Sequence, residues 1–119
     1  MPDPSPKPSR CVIITVQGSY LRRFPVIIVR NCFVAKPGQA SKLAAQLKQA
    51  AGTANIPNHR VLTDLTGDFN RVVLEYAVEN IGEFEARMRE YATNEPFREK
   101  MKGYTDLWIT GYREILQVA

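Results

Sequence analysis

Residues 26–34 (VIIVRNCFV) are β-branched and almost continuously apolar, the pattern of a strand buried on both faces. Lys36, Pro37 and Gly38 close it. Ala40, Leu43, Ala44, Leu47 and Ala51 then recur at helical spacing, with Lys42, Gln46 and Lys48 turned outward. This spacing predicts a helix over 38–51, with Gly52 as the stop just past its last turn. Residues 59–66 and 71–79 (RVVLEYAVE) read as a second and third strand, and Gly67, Asp68, Phe69 and Asn70 form a turn cluster of hairpin length between them. Ile81 and Gly82 open a second helix, on which Phe84, Met88 and Tyr91 fall at i, i+4 and i+7, the spacing of one buried stripe. Pro96 interrupts it, and a short segment continues over 96–102. Residues 106–118, rich in Trp, Tyr and Ile, form the last strand.

The order β-α-β-β-α-β is the split βαβ arrangement: a ferredoxin-like α+β fold, a four-stranded antiparallel sheet with two helices on one face. Alternation along strand three points Val72, Leu74, Tyr76 and Val78 toward the helices and Arg71, Val73, Glu75, Ala77 and Glu79 away. Strand one opposes Ile27, Val29, Asn31 and Phe33 to Val26, Ile28, Arg30, Cys32 and Val34. Both faces carry substantial apolar surface, so something must cover the second. A chain of 119 residues is one domain in length, and a second copy is the economical cover. Arg30, Arg60, Asp64, Arg71 and Glu75 share that second face. They either set the register of the two copies as Arg–carboxylate pairs or lie at the rim in water.

The domain is expected over 26–119, after an N-terminal extension of residues 1–25. Pro2, Pro4, Pro6 and Pro8 fix φ and remove donors, so the first ten residues are expected to be disordered and to add nothing to the core. Residues 11–16 fit an edge strand, a flexible segment or a leader. The net charge of +4 suggests a phosphate-binding surface until it is divided: residues 1–25 carry +3 and residues 26–119 only +1. Nucleic acid is therefore not an expected partner. Cys11 and Cys32 match no metal or redox spacing, and the chain has no run of about 18 apolar residues that a membrane helix needs. No membrane partner and a cytoplasmic setting follow as expectations.

Three segments carry a family resemblance: VRNCFVAKPG at 29–38, NRVVLEYAVE at 70–79 and EFEARMREY at 83–91. In their order of strand, turn and helix they resemble the dimeric α+β barrel superfamily. That group includes antibiotic-biosynthesis-monooxygenase-like proteins, haem-degrading monooxygenases and NIPSNAP-type proteins, and the resemblance covers 26–118. It implies a homodimer. In haem-degrading members a first-strand Asn precedes the Gly of the strand–helix turn by seven residues and faces the ligand; Asn31 and Gly38 have that spacing. Those enzymes also use a second-helix His as iron ligand and a helical Trp. No His occurs in 81–102 and no Trp in 83–91, which weighs against haem degradation. Small monooxygenases of this fold need no metal or flavin, because the activated substrate supplies electrons to oxygen. No cofactor is therefore expected.

Asn31 is either a satisfied amide within an apolar strand or a pocket group. His59, the only histidine, is either a general base or an ordinary residue at a strand edge. Tyr76 shares its face with Val72 and Leu74. Asn31, His59 and Tyr76 are thus the candidate catalytic set. Thr63, Phe33, Phe84, Met88, Tyr91 and Trp108 are the candidate ligand lining. A lone His without a carboxylate cluster is no metal site, and the sequence holds no phosphate loop, nucleophile elbow or dinucleotide fingerprint. Two readings stay open: a cofactor-independent monooxygenase-like enzyme acting on a small aromatic or polyketide-like compound, and a non-catalytic binding or assembly module of the NIPSNAP type. An open apolar pocket with convergent polar groups would mark the first. A space filled by Phe33, Phe84, Met88 and Tyr91 would mark the second.

Overall fold

A computed structural model describes residues 27–119. The expectations for residues 1–25, and for Val26, lie outside the described residues. The elements are β1 (Ile27–Ala35), α1 (Ala40–Thr53), β2 (Arg60–Thr63), β3 (Arg71–Val78), α2 (Ile81–Thr93), α3 (Glu95–Met101) and β4 (Trp108–Gln117). The four strands form one sheet in the order β2-β3-β1-β4, and every neighbouring pair is antiparallel. This is the ferredoxin-like α+β fold, with β1 and β3 central.

The alternation read in β3 is present in space. Val72, Leu74, Tyr76 and Val78 are buried, and the residues between them are half-buried on the other face. They meet Val29 of β1 and Leu43, Leu47 and Ala51 of α1 in one core. Gln46 ties α1 to the end of α3, its amide donating to the carbonyls of Lys100 (2.8 Å) and Lys102 (2.9 Å). Those carbonyls lie at a helix end, where no intrahelical donor remains for them.

Several boundaries differ from the sequence expectation. Helix α1 runs on to Thr53, so Gly52 lies within its last turn and Ala54 takes the cap. The short segment expected after the second helix is a helix of its own, α3, and the chain breaks at Asn94 rather than at Pro96. Asn94 closes α2, and its side chain accepts from the Phe97 amide at 3.0 Å to start α3. Pro96 falls in the first turn of α3, where a missing N–H costs nothing. β2 is only four residues long. β4 begins at Trp108 because a 3-10 turn, Tyr104–Asp106, follows Gly103 in the left-handed region (φ 82°).

One irregularity matters for the site. Thr110 pairs with Val34, but Trp108 pairs with Ala35, so Ile109 is an extra residue between them. In a regular strand Trp108 and Arg113 would face opposite sides. The bulge reverses parity, turning Trp108 toward the helices beside Phe33 and leaving Ile109 62% exposed.

On the other face Glu75 receives Arg30 at 2.9 Å and Arg60 at 2.8 Å, and Asp64 receives Arg71 at 3.2 Å. Burial disfavours the Glu75 carboxylate, but the hydrogen bonds from both arginines outweigh it and hold its pKa below the usual value. The charges read as face-sharing are thus paired within one chain. Around them Tyr112 is 58% and Leu116 45% exposed. Tyr112 lies opposite Cys32 on this face. No helix of the described residues is long and apolar enough to cross a membrane.

Candidate functional site

A cleft of about 610 Å³ lies between the sheet and the helices. Asn31 and Phe33 of β1 and Leu74 and Tyr76 of β3 form its sheet wall. Met88 and Tyr91 of α2 and Phe97 and Met101 of α3 form the helical wall. Tyr104 and Trp108 complete one end with Phe33. The Phe33 ring sits edge-on to Tyr104 at 6.2 Å and tilted against Trp108 at 5.4 Å between centroids. Gly111 lies opposite Phe33 in register, and that ring occupies the space a side chain would need. A Cβ at Gly111 would stand 3.0 Å from Phe33 Cδ1 and 2.9 Å from the carbonyl oxygen of Cys32.

The polar groups are few. Arg113 Nε donates to Asn31 Oδ1 at 2.6 Å, and its guanidinium carbon lies 5.7 Å from the Phe84 ring centroid. Arg113 is thus held from the sheet by an amide and from α2 by an aromatic face. The Tyr76 hydroxyl finds only the Met88 thioether, at 3.9 Å. Burial pushes its pKa up to about 12, against the pull of the Arg113 charge, so it stays a protonated donor. Burial also raises the Tyr91 phenol, opposed by the Arg87 charge. Among the described residues the Trp108 indole N–H is buried without a hydrogen-bond partner, and the Tyr91 hydroxyl has only the Arg87 guanidinium acting on it.

Of the candidate residues, Asn31, Phe33, Tyr76, Met88, Tyr91 and Trp108 meet at one cleft. His59, Thr63 and Phe84 do not line it. The His59 ring is engaged locally, Nδ1 donating to the carbonyl of Ile56 at 2.7 Å, and β2 lies at the outer edge of the sheet. Thr63 is exposed at the end of that same strand and borders a small depression on the opposite face. Phe84 acts one step away, beneath Arg113. His59 and Thr63 were placed by strand parity, which does not report distance across the sheet. Arg113, Gly111, Tyr104 and Phe97 are additional lining residues that pattern reading missed. A glycine inside an otherwise bulky strand was a usable signal, because it marks a close approach by another group. Among the described residues no cluster of three or more His, Cys, Asp or Glu could hold a metal ion.

Fold and cleft together define an α+β domain of ferredoxin-like topology with an aromatic-walled pocket between sheet and helices. No family model matches the sequence, and no curated protein matches it in sequence. The fold is shared with solved structures. An uncharacterised NIPSNAP-like domain protein from Burkholderia xenovorans superposes with a TM-score of 0.69 at 15% identity, over 79% of this chain and 85% of that one. A NIPSNAP family protein from Agrobacterium tumefaciens gives 0.67 at 14%, over 76% and 90%. An antibiotic-biosynthesis-monooxygenase candidate from Chloroflexus aurantiacus gives 0.60 at 14%, over 79% and 93%. The chain therefore has the fold of these NIPSNAP-like and antibiotic-biosynthesis-monooxygenase-like proteins.

Proposed function

We propose that this protein binds a small, oxygenated aromatic or polyketide-like compound in the cleft between sheet and helices, as one half of a homodimer joined through the open sheet faces. The observation that carries the reading is the cleft itself. Its volume falls within the range of ordinary ligand sites, its walls are aromatic and aliphatic, and Asn31, Tyr76 and Arg113 bring polar groups to it. Phe33, Met88 and Tyr91 line that space and leave it open. The uncovered apolar residues of the second face, Tyr112 and Leu116 among them, support the pairing.

A second reading, cofactor-independent oxidation of the same kind of compound, is favoured by Arg113 with Asn31. N–H groups at an apolar site suit an oxyanion developing on a substrate. The likeness of fold to the Chloroflexus protein points the same way. With His59 away from the cleft, a substrate acidic enough to ionise by itself would be required.

The test is a thermal-shift panel of quinol- and anthrone-like compounds, followed by oxygen uptake with those that bind. Stabilisation of the wild type that is lost on filling the cleft by Met88→Trp is the expected result. Oxygen uptake selects the enzyme, and binding without uptake selects the non-catalytic module. A panel that binds nowhere removes both readings.

A further inference from the structure

We infer that the cleft selects organic anions: a compound with an apolar ring body whose carboxylate, sulfonate or phenolate oxygen lies against Arg113. This rests on the cleft being a binding site, and it adds the charge and hydrogen-bonding character of the occupant.

Three observations converge. Among the described residues no Asp or Glu lines the cleft. Two arginines do, but they differ in state. Arg98 is paired with Glu95 at 3.2 Å, whereas Arg113 meets no carboxylate among the described residues. Its contacts are a neutral amide and a neutral ring, so its charge is held in place without being neutralised. Secondly, a guanidinium has donors only, so Asn31 must turn its carbonyl oxygen toward Arg113. That leaves the Asn31 amide N–H groups without a protein acceptor on the cleft wall. Thirdly, among the described residues the Tyr76 hydroxyl has only a thioether at 3.9 Å, a poor substitute for oxygen.

The inventory is therefore one-sided. The cleft supplies donors and a positive charge, and its one amide carbonyl is already occupied. A cationic ligand would meet the Arg113 charge, and a donor-rich one would find only phenol oxygens to accept from it. A plain hydrocarbon would make no use of the Arg113 charge or the Asn31 amide, which lie at the exposed side of the cleft. An aromatic anion uses what the wall offers: its ring meets Phe33, Tyr104 and Trp108, and its oxygens accept from Arg113, the Asn31 amide and the Tyr76 hydroxyl.

Two dyes with the same ring skeleton test this, anilinonaphthalene sulfonate and its uncharged parent phenylnaphthylamine, titrated by fluorescence against the full chain. The expected result is that the anion binds at least about tenfold more tightly than the neutral dye, the scale of a charge-assisted hydrogen bond. Arg113→Gln should bring the two close to parity, while Arg113→Lys keeps part of the preference. Met88→Trp, or Met88→Phe if the larger ring prevents folding, should abolish or sharply weaken both. Equal affinity in the wild type, or a preference that survives Arg113→Gln, overturns the inference while leaving the cleft as the binding site. Binding that ignores the cleft-filling variants, or no binding of either dye, removes the cleft reading and this inference with it.

Discussion

Arg113 and Asn31 stand directly opposite on neighbouring strands, 82 positions apart in the chain, and are joined by a 2.6 Å hydrogen bond at the cleft wall. The sheet register creates the pair: β4 returns antiparallel beside β1 and brings a cation to the one amide on the inward face of β1. Phe84 of α2 holds the other side of the guanidinium. A long flexible side chain is thereby held in a position suited to a ligand.

The Asn31–Arg113 pair predicts opposite results for two substitutions. Asn31→Asp puts a carboxylate against the guanidinium and neutralises it. Thermal stability should hold within a few degrees, while affinity for an aromatic anion falls about tenfold. Asn31→Ala removes a hydrogen-bond partner but leaves the charge free, so affinity should change only a few-fold. Isothermal calorimetry with the sulfonated dye measures both, and equal losses in the two variants would show that the Arg113 charge is not what the anion meets.

Gly111→Ala should destabilise the fold by about 1–3 kcal/mol, the cost of forcing a methyl group into a filled space. The new Cβ would meet Phe33 and the carbonyl of Cys32. The Phe33 ring has room to yield toward the cleft, whereas the backbone of β1 does not. Adding Phe33→Leu should therefore recover part of the loss, and the two changes should be non-additive by about 0.5 kcal/mol or more in urea unfolding. Strict additivity would show that the ring does not occupy the space over Gly111.

The central strands were legible because alternation is a local property: a buried strand must place apolar side chains at every second residue. Val72, Leu74, Tyr76 and Val78 declare their face without reference to any other element. The helical stripe of Met88 and Tyr91 is local in the same sense. Arg113 was not legible, since its role depends on pairing with Asn31 and on the bulge at Ile109, which lets Trp108 and Arg113 share a face. A bulge arises between strands and leaves no period in either one. His59 failed for the complementary reason. Its chemistry was visible, but its distance from the cleft was set by a short outer strand.

Glu75 predicts a pH dependence. Its folded-state pKa lies below the usual value, so its contribution is fully present above the unfolded carboxylate value near about 4.3 and is lost as pH falls through the lower folded value. Glu75→Gln should cost about 1 kcal/mol at pH 7, the scale of a partly exposed charge pair. The gap between wild type and variant should close as the pH is lowered below about 4. Denaturant melts at neutral and acid pH measure it. A gap that persists in acid would mean that shape at position 75, not charge, carries the effect.

Assembly gives the last prediction. Ile28 lies at the middle of the sheet, opposite Ala77 on one side and Leu116 on the other, on the face that none of the described helices covers. Tyr112 and Leu116 are left exposed there, while the central charges are already paired through Glu75. An apolar surface whose ion pairs are satisfied internally can meet its own copy across a two-fold axis without stranding a charge. The wild type should therefore sediment as a dimer at micromolar concentration. Ile28→Asp would place an unpaired carboxylate in the dimer interface and should give monomer or aggregate. A surface variant on the far side of α1, such as Lys42→Asp, should leave the dimer intact. A stable, well-folded wild-type monomer would show that the open sheet face is not a self-pairing surface, and Ile28→Asp would then alter solubility more than assembly.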